Sequence, residues 1–106
     1  MELTIEKVEK DSSVVLYLKG ILDITTTKQI DPYLEEISSR MESLTFDFSE
    51  LELMDSTGIG SIMNAIHMSQ EKQFQVKFQG VNELTHEVFE MVGLYKVLEA
   101  LKGEAI

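Results

Sequence analysis

The stretch Leu44-Thr45-Phe46-Asp47-Phe48-Ser49-Glu50-Leu51-Glu52-Leu53-Met54-Asp55-Ser56-Thr57-Gly58-Ile59-Gly60 decides the fold of this chain. Leu44, Phe46 and Phe48 alternate with Thr45 and Asp47, the period of a strand with one buried face. Beyond Gly58, the residues Ile59, Ile62, Met63 and Ile66 recur at helical spacing. Between the two patterns stand Asp55, Ser56 and Thr57, all good N-cap types, so a helix begins within them. A serine at such a joint is exposed, flanked by small residues, and faces the positive end of a helix dipole, where an added phosphate is tolerated. A phosphoserine there would bring roughly −1.5 to −2 charges to one spot of the surface. The simpler role for Ser56 is that of the N-cap itself.

Residues 3–8 and 14–19 read as strands joined by a polar turn around Lys10, Asp11 and Ser12, a hairpin. Ile30, Leu34, Ile37 and Met41 then mark one face of a helix. Pro32 leaves two starts open: Asp31 caps this helix with Pro32 at its first position, or the helix begins near Thr26. The central strand and joint follow, with a helix running to about Lys72. Phe74, Val76 and Phe78 alternate with Gln75 and Lys77 in a fourth strand. Asn82 is expected to cap a third helix with Leu84, Val88, Met91 and Val92 inward and Gly93 as its stop. Val97, Leu98 and Leu101 suggest a short last helix before a frayed tail over residues 102–106.

The expected fold is therefore a single α/β domain over residues 1–106, with an N-terminal hairpin followed by parallel crossovers in a four-stranded mixed sheet. Alternation in the strands implies one covered and one wetter sheet face, so the helices pack mainly on one side. Parallel strands two, three and four place Asp23, Asp55, Ser56 and Gly80 at one carboxyl-terminal edge, where open α/β sheets carry their functional groups. Asp23 reads either as a turn residue ahead of the threonines 25–27 or as a site group near Ser56.

A chain of 106 residues with 43% apolar content has the size and composition of one compact domain. It contains no cysteine, no basic-then-apolar leader and no apolar run near the ~20 residues of a membrane span, all of which fit a cytoplasmic protein. The net charge of −10 opposes nucleic acid and anionic membranes, and equally suits solubility or attraction to a basic protein surface. His67 and His86 are the only histidines, and no cluster has metal-ligand spacing. There is no phosphate loop of the Gly-x-x-x-x-Gly-Lys type and no Gly-x-Ser-x-Gly elbow. The order Asp55-Ser56-Thr57-Gly58 has one residue too many for an aspartic-protease half-site. Nothing supplies a general base beside Ser56, so the residues predict a phosphate acceptor, not a catalytic nucleophile, and no enzyme.

The run Met54-Asp55-Ser56-Thr57-Gly58-Ile59-Gly60 closely resembles the phosphorylation motif of the anti-sigma factor antagonists, bacterial members of the STAS domain family. Gly20-Ile21-Leu22-Asp23 and Val92-Gly93-Leu94 match two further family positions, so the resemblance spans nearly the whole chain. It implies a partner-switching cycle. The unphosphorylated antagonist binds an anti-sigma factor that is itself an ATP-using serine kinase and frees the sigma factor. The kinase then phosphorylates the antagonist's serine, which breaks the complex, and a serine phosphatase restores it. Carried onto this chain, Ser56 is the acceptor, with Asp55 and Thr57 flanking it. Gly58 and Gly60 would admit a partner backbone, and Asp23 would help order the acceptor loop. ATP belongs to the partner, so the chain itself needs no cofactor.

The resemblance also favours the earlier helix start near Thr26. The sequence departs from the family at residues 71–74, where a glycine is usual, and at threonines 25–27, which replace small apolar residues. Two other readings stand beside it: a STAS scaffold or transporter accessory that is never switched, against whose fused form a 106-residue chain argues, and a small-molecule-binding module at the same sheet edge.

Independently of the family, a turn of about 100° per residue places Ser61, Asn64 and Met68 opposite the apolar face of Ile59, Ile62, Met63 and Ile66. An uncharged stripe with an adaptable thioether on an acidic chain is expected to contact the partner.

Overall fold

The computed structural model describes residues 2–36 and 41–105. Five strands form one sheet in the order β1-β2-β3-β4-β5. Strands β1 (Leu3–Lys10) and β2 (Ser13–Leu22) are the expected hairpin, turned at Asp11 with φ 57°. Strand β3 (Ser43–Met54) lies parallel to β2, and β4 (Gln75–Gln79) parallel to β3. Leu16, Leu18, Leu44, Phe46, Phe48, Val76 and Phe78 are buried on the face covered by helices. The rings of Phe46, Phe48 and Phe78 pack at 5.3–6.4 Å between centroids. On the opposite face Tyr17 and Lys19 are exposed and Lys77 is half-buried. Asp47, also on that face but beneath its neighbours, accepts hydrogen bonds from the Ser49 amide, the Ser49 hydroxyl and Gln79 Nε2.

The fifth strand corrects the expectation of four. Residues 102–106 were expected to fray, yet β5 (Glu104–Ala105) pairs parallel with β4 through Lys77–Glu104 and Phe78–Ala105. A two-residue strand carries no periodic signal. What fixes it is close approach: an added Cβ at Gly103 would meet the Leu98 side chain and come within 2.8 Å of the Val76 carbonyl oxygen, and Gln75 Nε2 donates to the Lys102 carbonyl.

The first helix is shorter than expected and is entered through a 3₁₀ turn. That turn, Thr27–Gln29, leads through Ile30 into α1 (Asp31–Glu35). Ile30, not Asp31, is the N-cap, and Pro32 lies in the first turn, where its missing N–H has no intrahelical role. Both expected starts thus hold in part, one for each segment. Ile30 and Leu34 are buried as the pattern requires. Met41 is buried beyond the helix, and Ile37 lies outside the described residues.

Helix α2 (Ser56–Lys72) ends where Gln73 takes a left-handed conformation at φ 59°. That is the backbone for which glycine is the usual residue, so the departure at residues 71–74 changes the side chain and not the turn. Helix α3 (Glu83–Met91) is capped by Asn82, which accepts from the Thr85 amide at 2.8 Å, and stops before Gly93 at φ 71°. Its inward face is not the expected one. Thr85 and Phe89 are buried, whereas Leu84, Met91 and Val92 are exposed. One aromatic ring outweighs several aliphatic side chains here. Phe89 stacks edge-on against Phe48 and lies at 5.3 Å from both Phe48 and Phe78, and that contact sets the helix rotation. Helix α4 (Leu94–Ala100) buries Leu94 and Leu98.

Candidate functional site

Strands β2 and β3 end side by side, with Leu22 paired to Met54 and the Asp55 amide donating to the Leu22 carbonyl at 3.2 Å. The register between them shifts twice, after Tyr17 and after Gly20, as β3 takes in extra residues. Such bulges re-aim a strand, and these occur between Asp47 and Glu50 in the middle of β3 and between Leu51 and Leu53 just before the joint. Asp55 then adopts an extended conformation (φ −104°, ψ −176°) and its Oδ1 accepts from the Gly58 amide at 2.9 Å. The aspartate, not the serine, is therefore the N-cap. Ser56 and Thr57 follow in the first turn of α2, both exposed, with no acidic residue among them. A hydroxyl released from capping and set against free helix N–H groups is accessible and electrostatically suited to an anion.

Beneath this turn Gly58 is buried, and an added Cβ would lie 2.5 Å from the Leu22 carbonyl oxygen and 2.9 Å from Leu22 Cγ. Its missing side chain admits the end of β2 from within the molecule. Gly60 is exposed and has open space at its Cβ position.

Asp23 stands one residue beyond β2, as Asp55 stands one beyond β3, so the shared edge expected from topology is present. Its bonds stay within its own turn. Asp23 Oδ1 accepts from the Thr25 amide at 2.9 Å and the Thr25 hydroxyl at 2.7 Å, and its carbonyl accepts from the Thr26 and Thr27 amides. The Thr25 hydroxyl bond is the main reason that the Asp23 carboxyl lies below the ordinary aspartate range. Thr26 Oγ1 completes the turn by accepting from the Asp23 amide and donating to the Ile21 carbonyl. Thr27 Oγ1 is hydrogen-bonded to Ser61 Oγ on α2. The connection from Asp23 to the helix bearing Ser56 thus runs through the turn and Thr27. This is the turn that the sequence offers as one of two roles for Asp23 ahead of threonines 25–27, since hydroxyls after an aspartate are the usual signal of such a turn.

A model of the STAS domain matches residues 4–103. The chain belongs to the STAS domain family. It is 26% identical over 106 residues to the anti-sigma F factor antagonist of Paenibacillus polymyxa, covering 98% of this chain and 91% of the relative. It is 27% identical over 101 residues to the anti-sigma-B factor antagonist of Listeria monocytogenes, covering 93% and 89%. Among solved structures, the phosphorylated form of the Bacillus cell fate determinant SpoIIAA superposes with a TM-score of 0.70 at 21% identity, covering 90% of this chain and 86% of the other.

The outward side of α2 in this STAS domain differs from the stripe expected. Gly58, Ile59, Ile62, Ala65, Ile66 and Ser69 are buried, which rotates the covered face by about 50° toward the small residues at about 100° per residue. Ser61 is half-buried and bonded to Thr27, and Met68 is partly buried against the core, so both are less exposed than the sequence pattern implies. Asn64 is exposed, and it shares the outward line with Ser56, Gly60 and His67. Small residues packing closest to a sheet are invisible to a reading that counts large apolar side chains. Among the described residues no group of three His, Asp and Glu side chains is arranged to hold a metal ion, and no helix is long and apolar enough to cross a membrane.

Proposed function

We propose that this STAS domain is a cytoplasmic anti-sigma factor antagonist that works by partner switching, with Ser56 as its phosphate acceptor. The unphosphorylated form binds an anti-sigma factor that is also a serine kinase. ATP bound by that partner phosphorylates Ser56, the complex separates, and a serine phosphatase restores the binding form. The protein acts by binding and catalyses nothing itself. One observation carries this reading: Asp55 takes the capping bond, leaving Ser56 exposed in the first turn of α2 at the functional edge of the sheet. The names of the curated relatives, antagonists of two different anti-sigma factors, support the same class without selecting one sigma factor.

The chemistry follows from charge. A phosphate of about −1.5 to −2 charges at Ser56 faces the helix dipole from outside the core and leaves the packing beneath it intact. Across an interface, one like charge about 4 Å away costs up to about 4 kcal/mol at an effective dielectric near 20. Each 1.4 kcal/mol is tenfold in affinity, so separation by roughly 100-fold or more is within reach of one modification. Asn64 and Gly60, on the same outward line, are the partner contacts we favour. Incubation with candidate anti-sigma factor kinases and ATP, with the modified residue mapped by mass spectrometry, tests the assignment. Phosphate on Ser56, abolished in Ser56→Ala with kinase binding retained, is the expected result. Labelling that persists in Ser56→Ala moves the acceptor to Thr57 or elsewhere and ends this reading.

A further inference from the structure

Helix α3 carries an apolar stripe that the fold leaves largely uncovered. Leu84 is 60% exposed, Met91 83% and Val92 45%, and Val88 lies half-buried between them. At about 100° per residue these four side chains span one side of the helix, adjacent to the buried Thr85 and Phe89. On the other flank Glu83, Glu87 and Glu90 recur at i, i+4 and i+7, and all three are exposed. An apolar stripe and a carboxylate stripe thus run side by side along the whole helix. No lysine or arginine occurs between Lys77 and Lys96, so the helix carries no basic side chain of that kind beside those carboxylates; His86 Nε2 lies 3.2 Å from a Glu90 carboxylate oxygen.

The stripe continues into a shallow, open groove between α3 and the end of β3, lined by Leu51, Glu52, Asn82, Glu83, Leu84 and Glu87. Asn82 holds the two walls together, its Nδ2 donating to the Leu51 carbonyl at 2.9 Å. The exposed apolar surface here comes from Leu84, Leu51 being buried beneath it, and three carboxylates, Glu52, Glu83 and Glu87, rim it.

We infer that the outer face of α3 and this groove form a docking surface for a basic amphipathic helix of a partner protein. Complementarity selects the occupant. Apolar side chains at helical spacing would lie along Leu84, Val88 and Met91, and lysines or arginines on one flank would meet Glu83, Glu87 and Glu90. A second copy of this chain does not fit. A two-fold pairing of α3 would bring its carboxylate stripe against itself in a protein already at −10. An anionic lipid surface is repelled for the same reason. This surface is separate from Ser56 and does not depend on the switching cycle.

The test is an amide chemical-shift titration of the full chain with three synthetic 18-residue peptides. One is a leucine/lysine amphipathic helix, one a scramble of the same composition, and one a leucine/glutamate analogue. The lysine helix should bind with shifts confined to residues 51–53 and 82–92, and at least tenfold more tightly than either control. Leu84→Glu and Met91→Glu, at sites exposed enough to leave the unfolding midpoint unchanged, should each weaken it tenfold or more. Glu83→Gln with Glu87→Gln should weaken it several-fold and reduce its salt dependence. Three outcomes overturn the inference. Equal binding by the scramble would mean diffuse charge attraction. Self-association abolished by Met91→Glu would make the occupant a second copy. Preferential binding to phosphatidylcholine vesicles through the same residues would make it a membrane.

Discussion

Helices α2 and α3 leave the same edge of the sheet by the same device, an Asx cap on the third amide, yet their first turns carry opposite chemistry. Asp55 accepts from Gly58 and is followed by two exposed hydroxyls, whereas Asn82 accepts from Thr85 and is followed by Glu83. At α3 the helix dipole already meets a fixed carboxylate one residue into the helix, and the outward face is apolar and acidic. At α2 the positions after the cap are neutral, and the outward line of Gly60 and Asn64 is small and uncharged. The difference teaches that one backbone joint serves two purposes. The α3 joint has its charge built in, while the α2 joint leaves room for charge to be added. What anchors each joint to the sheet also differs: a missing side chain at Gly58 against a side-chain amide at Asn82.

The largest effect expected from this contrast is at the two glycines. Gly58→Ala forces a methyl against the Leu22 carbonyl and should destabilise the domain by about 1–3 kcal/mol. Gly60→Ala meets open space within a helix and should stabilise it by roughly 0.5–1 kcal/mol. Urea midpoints that move in the same direction for both would break the distinction between an inward and an outward glycine.

Next come the caps. Asp55→Ala removes one capping bond, worth about 1 kcal/mol. Asn82→Ala removes a cap and also the bond to the Leu51 carbonyl, a further 1 kcal/mol or so. Equal losses in the two variants would show that the tie from Asn82 to β3 contributes nothing.

A smaller effect separates the acids by pH. Asp47 is raised by burial and lowered by the bonds from Ser49 and Gln79, and the bonds prevail, so its carboxyl lies below the ordinary aspartate range. A depressed folded-state value adds stability above the ordinary range, near 3.9, that disappears as pH falls through the folded value. Asp47→Asn should therefore cost about 1 kcal/mol at neutral pH, with the gap to the parent closing as pH falls below the ordinary aspartate range. A constant gap across that window would remove Asp47 titration from the account.

Much of this architecture was legible in the chain. Phe46 and Phe48 announced the central strand, Asp55 to Gly58 the joint, Asn82 and Gly93 the limits of α3, because those residue types act through local geometry. Rotations of helices were not legible. Leu84, Val88, Met91 and Val92 outnumber Phe89, yet the ring alone reaches the Phe48–Phe78 cluster and turns the helix. Ala65 and Ser69 likewise draw α2 toward the sheet by being small, which moved Ser61 and Met68 off the outward side. Strand β5 and the bond from Thr27 to Ser61 depend on tertiary placement, which no local pattern encodes.

The central claim is that a phosphate on Ser56 acts on the interface and not on the fold. It is tested by preparing the domain fully phosphorylated at Ser56 and measuring two quantities beside the unmodified protein: affinity for the proposed anti-sigma factor kinase by calorimetry, and unfolding free energy in urea. The account predicts affinity lower by about 100-fold or more, which is roughly 2.8 kcal/mol, with stability within about 0.5 kcal/mol of the parent. Unchanged affinity, or a loss of affinity matched by an equal loss of stability, would contradict it.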